Sequence, residues 1–102
     1  MTAISIPFLT VDDFRPHEAA DWLVDSAPEP LWIRLDEVKA GIASSSRLRQ
    51  PFILFFSTPS DILLVGALYR IRPAAGGNTV EIYMAPLPSL PGPRRDYQAI
   101  FN

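Results

Sequence analysis

Residues 66–84 read Gly66-Ala67-Leu68-Tyr69-Arg70-Ile71-Arg72-Pro73-Ala74-Ala75-Gly76-Gly77-Asn78-Thr79-Val80-Glu81-Ile82-Tyr83-Met84. Two runs with a period of two flank a loop of small and turn-forming residues, the pattern of a β-hairpin. In Gly66–Arg72, Ala67, Tyr69 and Ile71 share one face, opposite Leu68, Arg70 and Arg72. In Thr79–Met84, Val80, Ile82 and Met84 share one face, opposite Glu81 and Tyr83. Gly76-Gly77 supplies the turn. It is not a phosphate cradle, because no Lys-Ser/Thr pair follows it.

Working outward, the same period recurs. Leu31, Ile33 and Leu35 alternate with Trp32, Arg34 and Asp36, so 31–39 is a half-buried strand. Val38 falls out of phase with Leu35, which predicts a bulge near Asp36–Glu37 or a switch of buried face. Phe52-Ile-Leu-Phe-Phe56 is too short for a buried helix and reads as a strand covered on both faces. Arg95–Phe101 closes the chain as a strand, with Tyr97, Ala99 and Phe101 on one side. The stretch 17–26 is ambiguous. Glu18-Ala19-Ala20 suits a helix, whereas Trp22-Leu23-Val24 suits a strand, and a strand over 21–26 is the expectation. Near the N-terminus, Thr10 and Asp13 fit N-cap and N3 of one helical turn, and Leu9 and Phe14 fit its hydrophobic staple. Pro16 keeps that turn short. Connectors are expected at 27–30, 41–50 and 87–93.

These segments predict one all-β domain over residues 1–102. About six short antiparallel strands would follow one another in a meander and form a small barrel or sandwich, with a short N-terminal helical turn plugging one end.

Composition narrows the chemistry. The chain has 102 residues, no cysteine, one histidine and a formal net charge of −2. Disulfides, thiolate metal sites and a Cys nucleophile are excluded. Acids concentrate in residues 1–40 and arginines in 41–102, a distribution that reads as two solvated faces or as a bipolar surface for head-to-tail contact. A pI near 5.2 without a Lys/Arg cluster argues against nucleic acid. No segment is long and apolar enough for a membrane helix, and residues 1–10 lack a basic leader region, so a cytoplasmic location is the expectation.

No catalytic constellation emerges. His17 has no nucleophile or orienting partner in its neighbourhood and reads as a surface or turn residue. Asp36 and Glu37, adjacent on a strand, point to opposite faces. Asp12 and Asp13 suit the positive end of the helical turn. No metal or organic cofactor is expected.

Two features point to contact with other molecules. Trp32 lies opposite an apolar face; burial under the N-terminal segment is the expectation, and exposure is the alternative. Ile53 and Phe55 point away from Phe52, Leu54 and Phe56, and need a cover of their own. The Leu9–Phe14 turn is the expected cover and a second copy of the chain the alternative, which would make a homodimer. Trp32, Ile53 and Phe55 are therefore the candidate interaction surface.

Five stretches carry a resemblance: Phe8–Phe14, Arg49–Phe56, Gly66–Ile71, Glu81–Pro86 and Tyr97-Gln-Ala-Ile-Phe-Asn102. In this order they resemble a family of small bacterial proteins catalogued as a domain of unknown function. Its members are often encoded beside proteins resembling phage tail-collar or tail-fibre components. The resemblance implies no catalytic residues. Ala20-Asp21, where relatives tend to have Gly-Glu, and the Pro-rich stretch 86–93 depart from the pattern. The expected function is a non-enzymatic structural or protein-interaction module, an accessory of a phage-tail-like assembly, whose partner is itself or a tail-like component. The alternative is a small-ligand-binding β-barrel using exposed aromatics.

Overall fold

The structure is a computed structural model that describes residues 9–25, 30–42, 50–88 and 92–102. It contains six strands: β1 (Ala20–Val24), β2 (Leu31–Ala40), β3 (Phe52–Pro59), β4 (Ala67–Pro73), β5 (Val80–Pro86) and β6 (Arg94–Phe101). All are antiparallel and close into a barrel in the order β1-β2-β3-β6-β5-β4. The all-β class is as the alternation predicts, and of the two expected forms, barrel and sandwich, the structure takes the barrel. The connectivity is not one continuous meander. β1-β2-β3 run as neighbours, the chain then crosses to β4 beside β1, and β6 returns beside β3.

Alternation sorts each strand's side chains. Trp22, Val24, Ile33, Leu35, Phe52, Leu54, Phe56, Ile71, Ile82, Met84 and Tyr97 fill the interior and are all but inaccessible. Six strands enclose only enough space for such side chains, so the barrel is packed through its centre. Val38 stays buried because the β2–β3 register slips between Leu35 and Glu37, which is the bulge its phase predicts. Glu18 accepts the Val38 amide at 2.8 Å and so satisfies a donor beside the slip. Ala19 donates its amide to Leu35 O at 2.7 Å, and adopts φ 56°, a left-handed conformation costly for a residue with a Cβ.

The ambiguous stretch takes the strand reading at Trp22-Leu23-Val24, while Glu18-Ala19-Ala20 forms no helix: Glu18 and Ala19 lie in a turn and Ala20 opens β1. Val11–Asp13 and Arg15–His17 are single 3₁₀ turns, and β1 begins at Ala20. Asp13 accepts the Thr10 amide at 2.7 Å, the reciprocal half of the expected capping box. Leu9 and Phe14 are buried, and Phe14 packs on Trp22, Phe52 and Phe101 with ring centroids 5.7–5.8 Å apart. The turn therefore plugs the barrel from its inner side. It does not cover Ile53 and Phe55, because Phe52, which it touches, faces the opposite way.

The crossover from β3 to β4 is tied to the core by Tyr97. Its hydroxyl accepts the Leu64 amide at 3.1 Å and lies 3.2 Å from Thr58 Oγ1, which donates to Ile62 O at 3.1 Å. Leu64 is buried beneath the crossover. Among the described residues no buried side-chain nitrogen or oxygen lacks a hydrogen-bond partner. The β5–β6 seam is short: β5 pairs with β6 through Ala85–Gln98 and Pro86–Tyr97, and the Leu87 amide donates to Asp96 O at 2.8 Å just beyond. Of the expected connectors at 27–30, 41–50 and 87–93, residues 27–29, 43–49 and 89–91 lie outside the described residues.

Candidate interaction surface

The three residues singled out from sequence do not form one surface. Ile53 and Phe55 sit side by side on the outer face of β3. Ile53 is flanked across the ladders by Lys39 and Ile100, and Phe55 by Glu37 and Gln98. Both are half-buried, so the strand is sealed on its inner face and only half covered on its outer one. Trp32 lies seven residues from Lys39 along β2, roughly 20 Å away at strand spacing. It is 59% exposed, against the expectation of burial under the N-terminal segment. Its cross-strand neighbour on β1 is Leu23, which is half-buried. As an outward residue on a closed barrel, Trp32 has the core behind it and nothing described above it.

The outer wall around Ile53 and Phe55 is wider than the sequence reading made it. Ile100 on β6 is exposed opposite Ile53. Gln98 links Phe55 on β3 to Ala85 on β5. Beyond Ala85, Leu68 and Tyr83 form an exposed cross-strand pair on β4 and β5, with exposed Leu63 and Val65 on the crossover leading into β4. Tyr83 lies down over Gly66: a Cβ at that glycine would stand 2.9 Å from the Tyr83 hydroxyl and 3.9 Å from the Ala85 methyl. Gly66 thus lets the ring lie flat on the wall, so apolar surface spreads over β3, β6, β5 and β4. Alternation already placed Leu68 and Tyr83 on the outward side. What was missing was the strand order that makes β5 and β6 neighbours.

At the far end of β2, Trp32 borders a shallow cleft of about 300 Å³ with Pro30, Leu31, Pro59, Asp61 and Ile62. Asp61, which the sequence reading passed over, is exposed and forms no ion pair among the described residues.

A polar cleft lies beside the plugged mouth, between the 3₁₀ turns and the β4–β5 loop. Asp12, Asp13, His17 and Asn78 line it. Asp13 and His17 serve local structure. Asp13 caps the first turn, His17 O accepts the Trp22 indole N–H at 3.2 Å, and the His17 ring meets Trp22 edge-on at 5.7 Å. Among the described residues no cluster of histidine and carboxylate side chains could hold a metal ion. No helix among them is long and apolar enough to cross a membrane.

These features define a small closed antiparallel barrel with a filled interior, whose unspent chemistry lies on its outer surface. The chain belongs to the family described as Domain of unknown function (DUF6916), whose model matches residues 9–101. No curated protein and no solved structure matches it.

Proposed function

We propose that the protein is a non-enzymatic interaction module that meets a second copy of itself through the outer wall of β3, β6, β5 and β4. The observation that carries this reading is the exposure of Ile100, Leu68 and Tyr83 on the same wall as half-covered Ile53 and Phe55. Contiguous apolar surface of this kind usually marks a binding face. The Leu9–Phe14 turn is committed to the barrel interior and cannot cover it. A second copy suits the wall's border, where Glu37 and Lys39 stand two residues apart and both face out. A two-fold arrangement brings each Lys39 to the other copy's Glu37. The buried polar groups of Thr58 and Tyr97 are spent on holding the fold, which supports a role without catalysis. The neighbourhood of phage-tail-like genes that the family resemblance implies makes a larger tail-like assembly the setting for such a module.

Light scattering on the purified chain from about 10 µM to 1 mM tests the reading. A dimer is expected, and Ile53→Lys with Ile100→Lys should give a folded monomer with unchanged near-ultraviolet circular dichroism. A folded parent that stays monomeric throughout that range overturns it.

A small-ligand-binding barrel finds support in the open Trp32 cleft and in an apolar cleft of about 210 Å³ beside Ile53 and Ile100. The packed interior offers that reading no lumen.

A further inference from the structure

We infer that the Trp32 cleft is a receptor for an arginine side chain on an extended segment of a protein partner. The cleft lies at the other end of β2 from the apolar wall, and the inference does not depend on dimer formation there.

The cleft's composition selects the ligand. Its floor and sides are Pro30, Leu31, Pro59 and Ile62, which bring no side-chain donor or acceptor. Two groups stand out. Trp32 offers an indole face in the open, at 59% exposure. Asp61 offers a carboxylate that no arginine or lysine among the described residues neutralises. The cations nearby are engaged with other groups. Arg94 donates from Nε to Ser57 Oγ at 2.8 Å, Arg95 donates from Nε to Ser60 O at 2.8 Å, Arg72 pairs with Asp25, and Arg34 pairs with Asp36.

A sugar would suit the indole face but would press its hydroxyls against proline and isoleucine, where each loses water without gaining a partner. A purely apolar ligand would leave the Asp61 carboxylate to be desolvated for nothing. An arginine side chain answers both demands. Its aliphatic stem can lie along Leu31, Pro59 and Ile62 while its head stays polar. Its planar guanidinium stacks on an indole and can grip a carboxylate with two hydrogen bonds, which a lysine ammonium cannot do. The net charge of −2 favours a cationic partner on approach.

The protein carries its own reporter. Of the two tryptophans, Trp22 is buried inside the barrel at 2% exposure, so a change in the exposed indole's signal reads the cleft. The probe is a capped five-residue peptide, Pro-Ala-Arg-Pro-Ala, titrated into the full chain while the two indole N–H resonances are followed by NMR. A second peptide carries citrulline, the neutral isostere, in place of arginine. The Trp32 resonance is expected to move saturably with the arginine peptide and to need at least tenfold more of the citrulline one. Asp61→Asn should weaken the arginine peptide about tenfold and leave the citrulline peptide unchanged. Trp32→Ala removes the reporter along with the stacking face, so that variant is titrated by calorimetry, where no binding of the arginine peptide is expected. Both substitutions fall at exposed positions, and an unmoved Trp22 resonance verifies the fold. Equal response to both peptides, no saturable response, or tighter binding of a neutral oligosaccharide such as cellotetraose overturns the inference. The light-scattering result on the wall is independent of every one of these outcomes.

Discussion

Tyr97→Phe removes one oxygen from the centre of the molecule and tests whether that oxygen ties down the β3–β4 crossover. Tyr97 is 1% exposed, so the ring stays and only its hydroxyl contacts are lost. The Leu64 amide, 3.1 Å away, loses its acceptor beneath a buried leucine. A buried donor left unpaired costs about 1–3 kcal/mol. Thr58 loses its 3.2 Å contact with the hydroxyl but keeps Ile62 O, so its share is smaller, on the order of 0.5 kcal/mol. Together the loss is about 2–3 kcal/mol, a midpoint shift of roughly 10 °C for a domain of this size. Urea unfolding followed by Trp fluorescence, with an unchanged slope, gives the number directly. The double variant with Thr58→Val should cost less than the two single changes added, because both act on one cluster. A loss under about 0.5 kcal/mol for Tyr97→Phe, or full additivity with Thr58→Val, refutes the idea that this cluster ties down the crossover.

Two further changes test local physics. Ala19 is exposed and held at φ 56°, so Ala19→Gly should raise stability by about 1 kcal/mol, read as a higher urea midpoint; an unchanged or lower midpoint removes the strain argument. Burial pushes the Tyr69 hydroxyl above its ordinary value of 10.0, and it donates to Val65 O at 2.6 Å. With the folded value raised, its contribution is complete below pH 10 and fades as pH climbs through the folded value. Tyr69→Phe should therefore show a shallower loss of stability above pH 10 than the parent, and identical slopes for the two would contradict this.

The local elements were legible because each leaves a mark on period two. Val38, one step out of phase with Leu35, announced the register slip that the structure places between Leu35 and Glu37. Leu9, Thr10, Asp13 and Phe14 announced the capped turn. The order of strands left no such mark, since hairpin alternation is the same whether β3 neighbours β4 or β6. It depends on pairings far apart in the chain, such as Phe52 with Phe101 and Trp22 with Pro73. The surface suffered from the same gap. Ile53 and Phe55 were visible on a strand too apolar for its outer face, but Ile100, Tyr83 and Leu68 join them only once β6 stands between β3 and β5. Trp32 was noticed for its position and then placed under the wrong roof, because alternation gives the side of a strand and not what lies above it. Asp61 carries no periodic signal at all; its interest comes entirely from the indole beside it.

The short β5–β6 seam has a consequence for how the molecule breathes. β6 is zipped to β3 along its whole length, from Phe52–Phe101 to Pro59–Arg94, while β4 holds to β1 over a shorter border, which runs from the Ala74 amide on Asp21 O to the Asp25 amide on Arg70 O. The β4–β5 hairpin is thus the loosest panel of the barrel, hinged at two short borders, and the natural unit for partial opening under native conditions. Its outward side carries Leu68 and Tyr83, while Ile53 and Ile100 stay with the firmly zipped half. A partner seated across both would clamp the panel shut. Amide exchange at Ile71, Ile82 and Met84 would then slow with each increment of occupancy, and the barrel's motion would become a gauge of what is bound to its outside.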